Sequence, residues 1–465
     1  MLFRQVLHPD LGCASYVIAD TAAGIGAVVD PKWEIEEYLE LSRARGFRIG
    51  HVVETHNHAD HLSGRARLVE ATAAHCWVHR LAEAGYPHTP LEDGDEIVLG
   101  AVVLRALHTP GHRPEHTAIL VIDGDRSIEP CAVLTGDSLF VNDVARPDLA
   151  VERRDGARGL YASMRRLAEL DDGVEVYPGH TGGSLCGSAR MSEKTSSTIG
   201  FERRHNPLLR LDAEDRFVET LIAGLAPQPP NFRLIAETNR RGEPTEVEHP
   251  VALAAERFCE RIEAGALVVD GRPTGDYDAG HIPGSVGITL TADGFGTKVA
   301  WVVARGRELL LVGGDEHDAL RMAALLGSVG VHSAHGMLAG GFDAWRGAGL
   351  PLERFQVVDV AGLVTLREQR PELQVLDVRD DHEWAEMRIP GSHHVTYHDL
   401  GRVAPPLDPQ RPVAVICSTG RRSAMAVGLV RRAGFAEVIH VTPGGVGTWA
   451  ELGHPVELPA PVVPA

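Results

Sequence analysis

Short apolar runs separated by turn residues fill the first part of the chain. Residues 15–19 and 26–29 have strand length and pattern, and Asp30-Pro31 breaks the chain after them. Residues 49–54 read as a short buried strand, and 76–78, 96–99, 102–107, 118–122, 132–135 and 174–177 read as further strands. Helical spacing is sparser. It covers 34–45, a run opened by Ser63-Gly64 and reaching Ala73, and 156–170. Many strands and few helices predict two stacked sheets with helices outside them. Residues 212–223 then read as an amphipathic helix whose stripe of Phe217, Leu221 and Ile222 faces a core, and Ala226-Pro227-Gln228-Pro229-Pro230 ends it. The polar run 240–246 predicts a linker and the first domain boundary.

Beyond that run the pattern changes to strands alternating with helices, and it occurs twice. Leu267-Val268-Val269-Asp270-Gly271-Arg272 aligns with Val375-Leu376-Asp377-Val378-Arg379, Asp270 over Asp377. Ile282-Pro283-Gly284-Ser285 aligns with Ile389-Pro390-Gly391-Ser392 at the same separation. Gly340-Gly341, Trp345 and Pro351 align with Gly444-Gly445, Trp449 and Pro455. Matching offsets at so many points predict two copies of one domain, each a small α/β unit with a parallel sheet.

At 465 residues the chain has room for two to four domains, and 44% hydrophobic residues suffice for ordinary cores. A net charge of −19 argues against nucleic-acid and anionic-membrane partners, which call for basic patches, and suits small-molecule substrates. Six cysteines, none in a C-x-x-C pair, are too sparse for a disulfide framework, so a reducing cytoplasm is expected. The first residues show no apolar stretch of signal-peptide length, and no window approaches the roughly 18 apolar residues of a membrane span. A homo-oligomer is expected.

The chemistry concentrates in Thr55-His56-Asn57-His58-Ala59-Asp60-His61, directly after the strand at 49–54. Neutral imidazole and carboxylate are the usual ligands of a transition metal. More ligand types follow other strands: His112 in Thr109-Pro110-Gly111-His112, Asp137 in Thr135-Gly136-Asp137 and His180 in Tyr177-Pro178-Gly179-His180. Four strand ends delivering such residues predict one convergent metal site. In the second repeat the strand 413–416 runs into Cys417-Ser418-Thr419-Gly420-Arg421-Arg422 and then a helix. This C-x-x-G-x-R loop rings a thiol with backbone N–H groups at a helix N-terminus, a setting that lowers a thiol pKa and binds an anion. The first repeat has Gly313-Gly314-Asp315-Glu316 there, with no cysteine.

The motifs T-H-x-H-x-D-H, T-P-G-H, T-G-D and Y-P-G-H over roughly residues 1–200 resemble those of the metallo-β-lactamase superfamily. The resemblance implies an αββα sandwich with metal at one edge of its two sheets. It leaves two metal sites open. His56, His58, Asp60, His61, His112, Asp137 and His180 could bind two zinc ions, as in hydroxyacylglutathione hydrolases. Alternatively His56, His112 and Asp137 could hold one Fe(II) per chain in a two-His-one-carboxylate triad. Downstream of Asp137, Ser138-Leu139 and then Arg146-Pro147-Asp148-Leu149 look like the persulfide dioxygenase branch. That branch implies that Arg146 contacts the carboxylate of a thiol substrate. A salt bridge to Asp148 is the alternative for Arg146. Around the single Fe(II), His58, Asp60, His61 and His180 would tune polarity and proton delivery. His116 would be an outer or surface group, and Cys186 a packed residue. Glutathione-specific members carry a tyrosine shortly after the last motif histidine. None stands between His180 and Gly187, so coenzyme A-type carriers join glutathione as expected partners.

Both repeats look like rhodanese domains, whose signatures include D-x-R and G-H-I-P-G-S. The first has Gly280-His281-Ile282-Pro283-Gly284-Ser285, and the second departs with Met387-Arg388 before Ile389. The expected chain is a multidomain α/β and α+β protein. It has an αββα persulfide dioxygenase domain over 1–245, an inactive rhodanese-like domain over 246–353 serving as spacer or docking module, and an active rhodanese over 354–465. Cys417 would carry sulfane sulfur, Arg422 would hold the loop or a sulfonate oxygen, and Ser418, Thr419, Gly420 and Arg421 would cradle the substrate. O2, sulfite and thiosulfate are the remaining expected partners. A binuclear zinc thioester hydrolase fused to a rhodanese is the alternative enzyme, and a sulfide-responsive sensor the alternative outside enzymes.

Overall fold

The computed structural model describes residues 1–182, 184–188, 190–242, 249–291 and 294–458. It divides into two compact units, formed essentially by the chain before and after residue 247.

In the first unit, six strands lie side by side in chain order: Leu2–His8, Cys13–Asp20, Ile25–Val29, Arg48–Val53, His75–His79 and Thr89–Leu91. The first three are antiparallel and the rest parallel. A second six-stranded sheet has the order Ser197–Thr198, Glu175–Pro178, Ala132–Gly136, Thr117–Asp123, Val102–His108, Glu96–Leu99. Side chains alternate across each strand and sort into separate cores. Ala14, Tyr16 and Ile18 join Leu104, Ala106, Ile119 and Val121 in one cluster between the sheets. Val17 and Ala19, on the other face, pack with Tyr38 and Leu68 from helices Glu36–Arg45 and Arg65–Thr72. Ala118 and Leu120 pack with Leu160 and Phe217 from helices Arg153–Leu167 and Glu214–Ala223. The layers are therefore helix, sheet, sheet, helix. Burial on both faces is why these strands read as unbroken apolar runs.

Three differences from the sequence reading have local causes. Helix Arg153–Leu167 starts upstream of Gly156 because the Glu152 carboxylate accepts from the Arg154 N–H and caps it. Leu2–His8 is a half-exposed edge strand interrupted by Arg4 and Gln5, which hides its pattern. Arg240 and Arg241, assigned above to the linker, form the last turn of helix Phe232–Arg241, closed by left-handed Gly242. The remainder of that expected linker, 243–246, lies outside the described residues.

The second unit holds two five-stranded sheets of one topology, both parallel throughout. Their orders are Val251–Leu253, Ala334–Leu338, Leu309–Val312, Leu267–Asp270, Val286–Gly287 and Gln356–Val358, Val438–Val441, Val413–Ile416, Gln374–Asp377, His393–His394. The repeated motifs make repeated contacts. Arg272 forks onto Asp270 at 3.0 and 2.6 Å and donates to the Gly280 carbonyl; Arg379 forks onto Asp377 at 3.0 and 2.7 Å and donates to the Met387 carbonyl. The Trp345 and Trp449 indoles donate to the Pro351 and Pro455 carbonyls. All four charged residues are buried, so D-x-R is a fixture of the fold with or without a thiol nearby. Arg379→Leu should cost about 3–5 kcal/mol, because it strands the Asp377 carboxylate without its partner. Denaturant unfolding of the intact chain reads this as a lowered midpoint.

Candidate functional site

Four strands of the first unit end at one place. The motif loop follows Arg48–Val53, His112 follows Val102–His108, Asp137 follows Ala132–Gly136, and His180 follows Glu175–Pro178. Backbone bonds lock these ends together, Thr117 N–H to the Thr55 carbonyl at 2.9 Å and Gly179 N–H to the Gly136 carbonyl at 2.8 Å. Glycine is required at the back. A Cβ on Gly156 would lie 2.0 Å from the Pro147 carbonyl and 2.8 Å from that of Gly111, so the helix can approach the His112 turn only without one.

The His56 and His112 Nε2 atoms and Asp137 Oδ2 converge, each of the three within 4.8 Å of the others. All are buried. Among the described residues neither Nε2 has a hydrogen-bond partner, and Asp137 Oδ2 is approached only by imidazoles, His180 Nε2 nearest at 3.2 Å. Their outer atoms are secured. His112 Nδ1–H donates to the Arg146 carbonyl at 2.8 Å. The Thr55 hydroxyl donates to Asp30 Oδ2 at 2.8 Å, which leaves its lone pair for His56 Nδ1–H at 2.9 Å. Both rings therefore turn a bare Nε2 lone pair inward, the tautomer a metal needs. Burial depresses both imidazoles, His56 strongly, so they stay neutral. Burial alone would raise Asp137; His180 and His112 overcome it and hold the carboxyl at about 2. Unpartnered buried acceptors are costly, and a divalent cation removes that cost. The donor set fits a metal.

The remaining motif residues have ionic partners of their own. His180 Nε2 lies 3.2 Å from Asp137 Oδ2 and 3.4 Å from Asp60 Oδ2, and its Nδ1–H donates to the Gly12 carbonyl. His61 Nδ1 meets Asp60 Oδ1 at 3.1 Å. Two further ligand-like groups share Asp60, one with Cys13 and His61, the other with His180 and Cys186. Burial pushes the Cys13 thiol well up and the Cys186 thiol to about 12. His58 turns away, to 3.2 Å from both Asp30 and Glu54. Burial opposes its cation, yet these carboxylates raise it well above an ordinary histidine. His116 is fully buried and accepts the Asp137 N–H at 2.9 Å, fixing the ligand loop. The Arg146 guanidinium forks onto Asp148 at 2.7 and 3.0 Å and donates to the Leu185 and Ala226 carbonyls. A substrate carboxylate would have to share those donors.

In the second unit Cys417 ends strand Val413–Ile416 and is buried at the start of helix Arg421–Arg432. The Gly420 N–H donates to Sγ at 3.1 Å. Arg422 ties the loop down through Asp380, Glu383 and the Ser418 hydroxyl. Thr419 and Arg421 are exposed at the loop mouth. In the first repeat, strand Leu309–Val312 runs into glycines before helix Glu316–Ser328.

The metallo-beta-lactamase superfamily matches residues 8–180. A hydroxyacylglutathione hydrolase of Anaeromyxobacter dehalogenans (strain 2CP-C) is 32% identical over 226 residues, 43% of this chain and 84% of the relative. The chain belongs to the metallo-β-lactamase superfamily. The Bos taurus mitochondrial persulfide dioxygenase is 28% identical to it over 245 residues, 52% of this chain and 88% of the relative. Rhodanese-like domains match residues 254–348 and 362–452. A metallo-beta-lactamase-fold domain thus precedes two rhodanese-like domains, matching a dioxygenase–rhodanese fusion. The solved metallo-beta-lactamase from Staphylococcus aureus subsp. aureus COL superposes with a TM-score of 0.65 at 26% identity, over 73% of this chain and 99% of that one.

Sequence reasoning missed the residues that hold the metallo-β-lactamase motif in shape. Asp30, Glu54 and Thr55 were read as strand ends or motif flanks, although they steady His56 and His58. Asn239 lies on the helix Phe232–Arg241, yet its amide donates to the His58 and His61 carbonyls at 2.9 and 2.8 Å, and its oxygen accepts the Ser63 N–H. Nothing local in the sequence marks it. Thr55→Val removes the acceptor behind His56 and should weaken metal binding by about 10–100-fold. Competition against a chelator measures it.

Proposed function

We propose that the chain oxidises a low-molecular-weight thiol persulfide with O2 at a mononuclear non-haem Fe(II), and moves sulfane sulfur through Cys417. The overall change is R–S–SH + O2 + H2O → R–SH + sulfite + two protons. The observation supporting this reading is the convergence of the inward-facing donor atoms of His56, His112 and Asp137, the two imidazole nitrogens without a hydrogen-bond partner among the described residues. Two imidazoles and one carboxylate leave coordination positions open for substrate and O2. When bound, the iron supplies the one-electron chemistry that O2 requires. The chain supplies the rest. His180, lifted toward its cationic form by Asp137 although burial opposes it, holds a proton between Asp137 and Asp60. The Cys417 thiolate attacks the outer sulfur of a donor such as thiosulfate, an S–S bond forms, and sulfite leaves; the reverse step makes thiosulfate. Carrying both sites on one chain raises the local concentration of the shared sulfur species. The carrier thiol is of glutathione or coenzyme A type.

The ligand-like groups sharing Asp60 favour a second reading, a binuclear zinc thioester hydrolase. Asp30, Glu54 and His58 form a further ligand-like group; supporting the single-ion reading, Asp60, His61 and His180 satisfy one another.

Anaerobically Fe(II)-loaded protein should consume O2 when given glutathione persulfide or coenzyme A persulfide, and release sulfite. His112→Ala should abolish that uptake. Cys417→Ser should abolish sulfur transfer from thiosulfate to cyanide. Two zinc ions per chain with thioester hydrolysis and no O2 uptake would replace this reading with the hydrolase.

A further inference from the structure

The thiol of the second rhodanese-like repeat is linked to a carboxylate of the first through two buried side chains. Ser423, on helix Arg421–Arg432, places Oγ 3.6 Å from Cys417 Sγ. The same Oγ is 3.1 Å from His440 Nε2, on strand Val438–Val441. His440 Nδ1 is 2.8 Å from Asp278 Oδ2, on helix Thr274–Ala279 of the first repeat, which lacks the loop cysteine. Cys417, Ser423 and His440 are 0% exposed and Asp278 is 3%. Among the described residues the second Asp278 oxygen has no hydrogen-bond partner, so His440 is the principal support of this buried carboxylate.

We propose that Asp278 is a positioning residue for Cys417: acting through His440 and Ser423, it stabilises the thiolate that accepts sulfur. Asp278 accepts Nδ1–H, so Nε2 is the nitrogen that exchanges a proton. The S–H bond of Cys417 breaks and its proton passes to Ser423 Oγ; the Ser423 hydroxyl, which also has the Gly420 carbonyl as acceptor at 3.0 Å, turns to His440 Nε2 at 3.1 Å and passes its proton there. Nothing is oxidised and the summed charge is unchanged. The imidazolium faces the Asp278 carboxylate, and its new N–H meets the Gly420 carbonyl at 3.2 Å. Beside the thiol, the Gly420 N–H and helix N-terminus add to the same stabilisation. Other ionisable groups facing the chain are Arg422 with Asp380 and Glu383 beside Cys417, and Tyr277 and His281 beside Asp278, with Asp270 acting on both of those.

The internal repeat strengthens the argument. At the offset relating Leu309–Val312 to Val413–Ile416, Cys417, Ser423 and His440 fall on Gly313, Ala319 and Gly336. At the offset relating Asp270 to Asp377, Asp278 falls on Ala385. No part of the chain of contacts is duplicated where there is no thiol to serve. The thiol's helix also packs on the first repeat, since a Cβ on Gly428 would lie 2.8 Å from the Tyr277 hydroxyl. The first repeat is then half of the sulfur-transfer site rather than a spacer.

The inference rests on Cys417 being the sulfur-accepting thiol, but its test does not require turnover. Thiolate ultraviolet absorbance is titrated against pH on the full-length protein, as the difference between each form and the same form carrying Cys417→Ser. Asp278→Asn keeps the hydrogen-bond acceptor and loses the charge; Ser423→Ala breaks the link to the thiol. Each should raise the Cys417 midpoint by about one pH unit, leaving about 10-fold less thiolate below it. Circular dichroism should be unchanged. A midpoint unmoved in Asp278→Asn overturns the proposal. If that variant does not fold, an unmoved midpoint in Ser423→Ala overturns it. Absence of thiosulfate–cyanide transfer in the unaltered protein would defeat the sulfurtransferase reading alone, leaving the titration to decide the relay.

Discussion

Burying polar atoms without partners is expensive, and the first unit brings such atoms together in one place. Among the described residues His56 Nε2 and His112 Nε2 have no hydrogen-bond partner, and they face Asp137 Oδ2, which His180 Nε2 approaches at 3.2 Å from the other side. A site of this kind persists only if the surrounding structure fixes every ligand from behind. Here the Thr55 hydroxyl, the Arg146 carbonyl and the His116 ring do so. The stacked sheets bring four loops to one edge, and the glycine approach behind His112 keeps them there. Asn239 closes the arrangement from a helix far along the chain. Fold and metal chemistry therefore share one requirement, which is to hold bare lone pairs inward against the tendency of each ring to turn and find a donor.

The second unit shows how a duplicated domain divides labour. Both copies keep the Asp–Arg fork and the tryptophan-to-proline-carbonyl bond, and these serve the fold. Only the second has a cysteine in the loop after the strand Val413–Ile416; the first has Gly313 there. The first retains a full core, which merges with that of its neighbour around Tyr277, Val286, Val427 and Val430. A shared core fixes the two copies relative to each other closely enough for a carboxylate in one to meet a histidine in the other. Loss of the cysteine therefore leaves the first copy a chemical part as well as a structural one.

Much of the fold was legible because its cues are local. Alternating and continuous apolar runs located most strands of the sandwich, and equal offsets between motifs exposed the repeat. The places that failed have physical reasons. Leu2–His8 is an edge strand with polar residues facing water, so its pattern is weak. Helix Phe232–Arg241 follows a proline-rich break and ends in two arginines, so its last turn resembles a linker.

For the site, the sequence determined which residue types sit at strand ends: His56, His112 and Asp137, and Cys417 in its glycine-turned loop. Residue type and local spacing are properties of neighbours in the chain, and a single sequence carries them. Which of the seven motif residues stand bare and which satisfy one another was decided by tertiary structure. So were the turning of His58 onto Asp30 and Glu54, the engagement of Arg146 by Asp148, and the contact of His440 with Asp278. Those outcomes depend on distances between segments far apart in the chain, and only closure of the sheets and the packing of one repeat on the other sets them.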